Sequence, residues 1–344
     1  MSKRLSSAFV LHLALLTLAV TLSVLMGAVP IPLRDVLRVA LARLQGAPPP
    51  ADIPSYTATI LFQLRLPHTA LMLLTGSALG VSGAAYQGIF RNPLADPYLL
   101  GVASGAGLGA VAVLAWNPSP ALGGMFLLPA AAFGGGVLTV LVVYLLARVN
   151  GHVPTTALIL AGVAIGSLAS ALTSFLMLRS EDTLHRALVY LFGGAPLSGW
   201  KPVLAVLPYW LAGTAVLLLS GHALNVLQFG EEQAQQLGLA VGRAKVVILA
   251  AASLTAAAAV AFAGIIGFVG LVAPHIARLL WGEDYRRLVA LSLLGGAIML
   301  LLADLLARIL LAPQSLPVGI VTALFGAPFF LWVLQRTKRH GGMR

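Results

Sequence analysis

The sequence contains no cysteine and few charged residues. Without cysteine the chain cannot form a disulfide, a thiolate metal site or a cysteine nucleophile. Charged residues make up 9% of the chain and hydrophobic residues 59%, whereas soluble domains have about 25% and 45–50%. This composition excludes an ordinary soluble domain and predicts an all-α polytopic membrane protein.

Motifs for catalysis and nucleotide binding are also missing. No lysine stands in the G-x-x-x-x-G-K-[S/T] pattern of a phosphate-binding loop, and neither H-E-x-x-H nor G-x-S-x-G occurs. The histidines are isolated, so we predict no catalytic residue, no metal site, no cofactor bound by this chain and no enzymatic activity. The formal charge of +11 is not arranged as a basic stripe, which predicts membrane lipid rather than nucleic acid as its partner.

Apolar segments, most of them near 20 residues, fill the chain. About 20 such residues span the hydrocarbon, so we predict about ten crossings in one transmembrane domain, residues 1–344, with a short N-terminus at 1–7, a bundle at 8–335 and a tail at 336–344. The first segment is longer than the core of a signal peptide and is interpreted as a retained helix. The eighth is short and follows a glycine-rich stretch, which indicates a broken helix. The predicted spans are Ala8–Val29, Pro67–Gln87, Tyr98–Trp116, Leu122–Ala147, Thr156–Leu178, Val203–Gly221, Ala244–Ala263, Leu271–Leu280, Leu288–Ala307 and Pro317–Leu334.

The lysines and arginines favour a cytoplasmic N-terminus. With that placement, thirteen of the 21 lie in cytoplasmic segments and eight lie outside, in agreement with the positive-inside rule. An even number of crossings then places the C-terminus in the cytoplasm as well.

A dense polar segment, Phe90–Pro97, follows the second span. Its charges and prolines would leave polar backbone unsatisfied in lipid, so it lies at a membrane surface or along a path enclosed by protein.

Asp304 is the one acid well inside a span, and Arg308 is one helical turn away. Both a structural pair and a proton relay fit this spacing. The scarcity of intramembrane charge indicates that energy enters from outside the membrane domain.

A second polar segment, Gly230–Leu239, lies between two spans on the predicted cytoplasmic side. Glu231 and Glu232 suit the first turn of a helix because of the helix dipole. The segment predicts a short helix along the membrane that would fit a cleft on a partner, although a solvated loop has the same composition.

Five groups of residues together resemble a known family. In the family's order, from about Leu64 to Arg336, they are similar to the permease subunits of ABC importers for ferric siderophores, cobalamin and haem, the type II importers. The groups are Arg65–Pro67, Phe90–Pro97 with Leu100–Val102, Gly230–Gly238, Gly267–His275, and Leu316–Gly319 with Gly326–Pro328.

The resemblance implies a ten-helix permease that dimerises with a second copy or a related permease. It also implies two cytoplasmic ATPase subunits, which hold ATP and Mg, and an extracytoplasmic binding protein that delivers substrate. The location implied is a bacterial or archaeal cytoplasmic membrane.

The resemblance further implies roles for single residues. His68 stands where the family often has arginine, which leaves the strength or pH dependence of docking open. The segment Arg179–Arg186 either shapes the outer mouth or forms a solvated turn. The implied roles are coupling to the ATPase for Glu231, Glu232, Ala234, Leu237 and Gly238, an inner gate for Asn92, Leu94, Thr155 and Thr156, and docking of the binding protein for Arg65, His68 and Arg308.

The function implied is import of a ferric siderophore by alternating access, with ATP hydrolysed on a separate subunit. Cobalamin and haem stay as alternatives because permeases for all three share these motifs. An ion-coupled secondary transporter is the rival class. It would need intramembrane charges or unwound sites near the midplane, for which Asp304 and the glycine-rich break are the few candidates.

Overall fold

The computed structural model describes residues 2–27, 29–48, 50–116, 124–149, 153–179, 181–194, 198–312 and 314–341. Within these ranges the chain folds into helices joined by short turns, with a single 3₁₀ turn at Gly124–Phe126. The helices are α1 (Ser2–Leu25), α2 (Leu33–Leu44), α3 (Tyr56–Phe90), α4 (Val102–Trp116), α5 (Leu127–Ala147), α6 (Thr155–Met177), α7 (Glu181–Leu191), α8 (Trp200–Leu219), α9 (Gly221–Leu227), α10 (Glu231–Gln236), α11 (Val241–Ala263), α12 (Val269–Trp281), α13 (Tyr285–Ile309) and α14 (Val318–Gly341).

Seven of these helices are long and apolar enough to cross a membrane, and α4, α12 and part of α14 are shorter apolar helices. The helical, polytopic fold class is therefore confirmed, while the count of ten crossings and their orientation stay predictions. Several bounds differ from those predicted. α4 begins at Val102 rather than Tyr98 because the preceding residues form turns, and α14 extends to Gly341, past the predicted end of the bundle at residue 335. The predicted start of the fourth span, Leu122, lies outside the described residues.

α3 is the central helix of the bundle and contacts α8, α11, α12 and α13. Close approach depends on glycine, because a Cβ at Gly80 would collide with the Ser292 carbonyl oxygen of α13 and one at Gly83 with the Gly270 carbonyl oxygen of α12. Helices in lipid associate by packing of small residues rather than by the hydrophobic effect. The glycine-rich pattern of this span therefore serves helix packing.

α3 starts eleven residues before the predicted span, at Tyr56, and contains a π-helical stretch, Ile60–Arg65. Pro67 has no N–H to give the preceding turn, and the Phe62 carbonyl there accepts the indole N–H of Trp200 at 2.9 Å. Pro67 leaves a carbonyl of the preceding turn without a hydrogen-bond donor. The π-helical turn presents the Phe62 carbonyl to Trp200, whose indole N–H supplies the missing hydrogen bond.

The predicted broken helix is present as a gap, residues 264–268, between α11 and α12. Its backbone is satisfied by protein: the Ile265 N–H donates to the Tyr190 carbonyl at 3.2 Å, and the Ile266 carbonyl accepts the Tyr98 hydroxyl at 2.9 Å. Phe268 holds a left-handed φ of +68° just before α12 begins. Irregular backbone inside a membrane bundle is tolerated where protein bonds to it.

Two amphipathic helices were not among the predicted elements. α2 buries Val39 and Ala42 and leaves Leu37 and Leu41 more than half exposed. α7 includes most of the segment Arg179–Arg186, so a solvated turn there is wrong, and it buries Ala187 beside α4.

Candidate coupling and gating site

The predicted coupling segment forms a short helix, α10, at one end of the bundle. Glycines with left-handed backbone lie at both of its ends: Gly230 has φ of +104° and Gly238 has φ of +86°, a region that glycine enters without steric cost. The Leu239 N–H donates to the Ala234 carbonyl at 3.0 Å and closes the last turn. The predicted helix is thus confirmed and the solvated loop is wrong.

α10 has an inner and an outer face. Ala234 is fully buried in the same cluster as Leu227 and Val241. On the other side Glu232 is exposed, and Leu237, directly after the helix, is 66% exposed. A helix of six residues has little stability of its own, so the inner contacts hold it and leave an apolar side chain and a carboxylate uncovered.

Glu231 is bound on the inner side. Its Oε1 accepts a hydrogen bond from Nζ of Lys245 at 2.8 Å, and the same ammonium donates to the Val153 carbonyl at 2.9 Å. The Lys245 side chain is only 5% exposed. A buried ammonium requires such partners because desolvation of an isolated charge is costly.

A cavity of about 890 Å³ lies between α10 and the start of α6. Thr155 and Thr156, two of the predicted gate residues, line it together with Glu231, Glu232 and Arg91. The structure therefore brings two of the five predicted coupling residues, Glu231 and Glu232, and one half of the predicted gate to the same space. Asn92 and Leu94 lie outside its lining.

Asn92 and Leu94 lie in the loop between α3 and α4, directly after Arg91. Arg91 ends α3 in the left-handed region, with φ of +48°, and the Asn92 Oδ1 accepts the Leu94 N–H at 2.9 Å. Such a side-chain turn satisfies backbone next to a proline. Leu94 is 52% exposed, so the loop that follows Arg91, a residue of the cavity lining, carries an exposed apolar side chain.

A second turn of the same kind follows. The Asp96 Oδ1 accepts the Tyr98 N–H at 2.7 Å. Burial raises the pKa of the Asp96 carboxyl to about 6, although the hydrogen bond from Tyr98 lowers it in part.

Arg65 lies at the opposite end of α3 and is buried. Its guanidinium donates to the carbonyls of Val24 and Leu25, each at 2.9 Å, and to that of Val29. The last carbonyls of a helix have no partner within the helix, and a cation there also suits the helix dipole. Arg65 therefore caps α1.

Arg308 joins this cap. It donates to the carbonyls of Ser23 and Met26 and, through Nε, to the Asp304 Oδ2 at 2.9 Å. The Asp304 Oδ1 in turn lies 2.8 Å from Nε2 of His68. The structural pair predicted from the four-residue spacing is present. The three residues predicted to dock a binding protein are together, with side-chain exposures of 36% for His68 and 18% for Arg308.

Lys245 and Asp96 were not predicted as site residues. The Glu231–Lys245 pair is separated by fourteen residues and spans two helices, so no helical spacing shows it. A lysine at the second position of the predicted apolar span Ala244–Ala263 was the available signal. Within the described ranges, no group of three or more histidine, aspartate and glutamate side chains is placed to hold a metal ion.

Comparison with known proteins gives consistent results. The model of the FecCD transport family matches residues 15–336. An uncharacterized ABC transporter permease protein, YvrB of Bacillus subtilis, is 42% identical over 97% of this chain and 95% of its own length. The cobalamin import system permease protein BtuC of Halobacterium salinarum is 44% identical over 86% of this chain and 79% of its own.

Among solved structures, one described as an inward-facing conformation of a metal-chelate type ABC transporter superposes with a TM-score of 0.79 at 30% identity. It covers 98% of this chain and 100% of the solved chain. Fold, motifs and similarity together define a polytopic permease of an ABC importer. The chain belongs to the FecCD transport family, and the resemblance predicted from its motifs is confirmed.

Proposed function

We propose that this chain is the membrane-spanning subunit of an ATP-driven importer that translocates an iron chelate, a ferric siderophore, across the cytoplasmic membrane. It works as a dimer with a second permease, on two cytoplasmic ATPase subunits that hydrolyse ATP, and receives substrate from an extracytoplasmic binding protein. The chain itself carries out vectorial transport and no chemical reaction.

The observation that carries this proposal is the two-faced helix α10. Its inner face is fixed by the buried Ala234 and by the Glu231–Lys245 ion pair, whereas Glu232 and Leu237 remain exposed. An exposed leucine beside a carboxylate forms a compact contact for a partner's groove. Closure of the ATPase dimer would displace α10 as a unit, together with the gate residues that share its cavity.

Docking of the binding protein is proposed for the opposite end, at Arg65, His68 and Arg308. His68 and Arg308 are partly accessible, and the Arg308 guanidinium can donate charge-assisted hydrogen bonds to acidic side chains. Arg65 is engaged with the end of α1, so its contribution is to hold this end, to which Arg308 also donates hydrogen bonds.

Cobalamin is the second candidate substrate, favoured by the 44% identity to the haloarchaeal cobalamin permease. The similar solved structure, of the metal-chelate type, supports an iron chelate as the substrate. Haem is a third candidate, and the uptake assay below includes it. A secondary transporter is disfavoured because Asp304, the acid inside a span, is held between His68 and Arg308 rather than facing an open path.

The test is uptake by the complete complex of permease, ATPase and binding protein in proteoliposomes, with ATP enclosed on the ATPase side. We expect Leu237→Glu to lower ATP-dependent uptake by about tenfold or more, because an unpaired charge in an interface costs roughly 2 kcal/mol or more. Leu44→Glu, at a leucine of α2 that is 86% exposed, is the matched control and should keep normal uptake.

The substrate is identified in the same vesicles by offering a radiolabelled ferric siderophore, cyanocobalamin and haem separately. Uptake that continues with a hydrolysis-deficient ATPase, or that follows an imposed ion gradient instead of ATP, would contradict the importer and favour secondary transport.

A further inference from the structure

Lys245 connects three separate segments of the chain through one ammonium group. The residue itself belongs to α11, its Nζ binds Glu231 at the start of α10, and it also binds the Val153 carbonyl just before α6. Both partners lie within hydrogen-bonding distance, at 2.8 and 2.9 Å. The side chain is 5% exposed, so water contributes little to its solvation.

The contact with Val153 is made at a stiff point of the backbone. The carbonyl that Lys245 holds belongs to the peptide group between Val153 and Pro154, which is planar. The ring of Pro154 fixes its own φ, here −61°. Thr155, the first residue of α6, follows at once. Because two of the backbone torsions between the Val153 carbonyl and Thr155 are fixed, a displacement of this carbonyl also displaces Thr155.

The contact with Glu231 is made at the first residue of α10. Because Ala234 is buried, α10 packs on the bundle through an apolar contact at Ala234 as well as through the charged contact at Glu231. The charged contact connects α10 to the start of α6, because Lys245 also binds the Val153 carbonyl. The apolar contact connects α10 to the cluster that contains Leu227 and Val241.

We propose that Lys245 is the positioning residue that transmits the movement of α10 to the gate at Thr155 and Thr156. This inference rests on the proposed function and adds to it the route between the ATPase contact and the gate. The buried ammonium suits this role because it resists separation from its partners: the Glu231 side chain is 45% exposed, but that of Lys245 is only 5% exposed, so loss of Glu231 would leave an unpaired charge in the interior. α10 and the start of α6 therefore move together or not at all.

The deciding experiment compares uptake and ATP hydrolysis in the reconstituted complex of Lys245→Met, which keeps the apolar stem and removes the ammonium. We expect ATP hydrolysis to stay within about twofold of wild type and substrate imported per ATP to fall by about tenfold or more, because α10 would no longer be linked to the Val153 carbonyl. Lys245→Arg keeps a cation and should restore part of the ratio. Lys201→Met, the same substitution at an exposed lysine of α8, is the matched control and should leave the ratio unchanged.

A purely structural role predicts a different result. Uptake and hydrolysis would then fall in the same proportion, with a lower melting temperature and an unchanged ratio, and this outcome would overturn the proposal. Absence of ATP-dependent uptake in the wild-type complex would instead overturn the proposed function, so the two failures are distinguishable.

A second measurement decides the matter if Lys245→Met does not fold. Glu231→Gln keeps an acceptor for Lys245 and removes the charge. Because the chain has no cysteine, spin labels can be placed at Gln235 on α10 and Leu160 on α6 alone. We expect the label distance to stay constant between nucleotide-free and ATP-bound complexes of otherwise wild-type protein and to change with nucleotide in Glu231→Gln. A distance that changes with nucleotide in otherwise wild-type protein, or that stays constant in Glu231→Gln, would contradict the link.

Discussion

Arg65 and Arg308 show how single side chains complete a helix of this bundle. The carboxyl-terminal carbonyls of α1 have no intrahelical partners, and the two guanidinium groups supply hydrogen bonds to five residues of that end, from Ser23 to Val29. The side chain of Asp304 neutralises part of this positive charge. The same arginines therefore have a measurable structural role besides the docking role proposed for them.

Replacing Arg65 tests the two roles separately. We expect Arg65→Leu to lower the melting temperature of the purified chain by several degrees, because hydrogen bonds that involve a charged group contribute about 1.5–3 kcal/mol. Arg65→Lys should recover only part, since one ammonium cannot match the guanidinium fork. The measurement is thermal unfolding followed by tryptophan fluorescence. An unchanged melting temperature together with weaker binding-protein affinity would show that Arg65 acts in docking instead.

Asp96 predicts a dependence of stability on pH. Burial raises its pKa from 3.8 to about 6, so between these values the folded state holds more protons than the unfolded state. Stability from this group is therefore greatest below about pH 4, falls as pH rises to about 6 and is constant above it, a change of about 1 to 3 kcal/mol.

The matched variant is Asp96→Asn, which keeps an oxygen to accept the Tyr98 N–H and removes the titration. Melting temperatures measured from pH 4 to 8 should fall more steeply in wild type than in Asp96→Asn between pH 4 and 6. Parallel curves for the two proteins over that range would contradict the shifted pKa.

For single residues, the sequence predicted contacts between near neighbours in the chain and missed contacts between residues far apart in the chain. The pair of Asp304 and Arg308 follows from helical spacing. The contact between His68 and Asp304 joins residues 236 positions apart, and nothing in a single sequence marks it. For the same reason the sequence did not show that the carboxylate of Glu231, which was predicted to couple to the ATPase, accepts a hydrogen bond from Lys245.

At the scale of helices, the packing of α3 depends on residues without side chains. Gly76 and Gly80 lie against Gly296 and Ser292 of α13, and the backbones approach closely. Glycine-rich spans predict such packing in general, but the sequence does not say which pairs of helices meet. α2 and α7 were missed because a search for spans of about 20 apolar residues passes over short amphipathic helices.

Gly80→Ala tests this packing directly. The added Cβ would meet the Ser292 carbonyl, which is backbone and cannot turn away, so we expect a loss of about 1–3 kcal/mol and less monodisperse protein by size-exclusion chromatography. Gly134→Ala in α5, where a Cβ would meet nothing within 4 Å, is the control. It should be neutral or stabilising by up to about 1 kcal/mol, because alanine favours helix over glycine. Equal effects of the two substitutions would show that close packing at Gly80 is not required.

For the whole molecule, α3 separates the two candidate sites. Its 25 regular residues, Leu66–Phe90, span about 37 Å at 1.5 Å per residue, which exceeds the hydrocarbon thickness of about 30 Å. The cap of α1 lies at one end, and α10 with its cavity lies near the other. The composition predicted the helical class, yet the side of the membrane on which each end lies depends on a moderate bias of basic residues.

The orientation can be measured with single cysteines, because the native chain has none. Gln45→Cys follows α2 at the end that holds the cap of α1, and Gln235→Cys lies on the exposed side of α10. In intact cells we expect a membrane-impermeant maleimide to label Gln45→Cys at once and Gln235→Cys only after the membrane is permeabilised. The reason is that the positive-inside rule and the need for ATP both place α10 in the cytoplasm. Labelling of Gln235→Cys in intact cells would put α10 outside, where no ATPase could bind it, and would overturn the importer proposal.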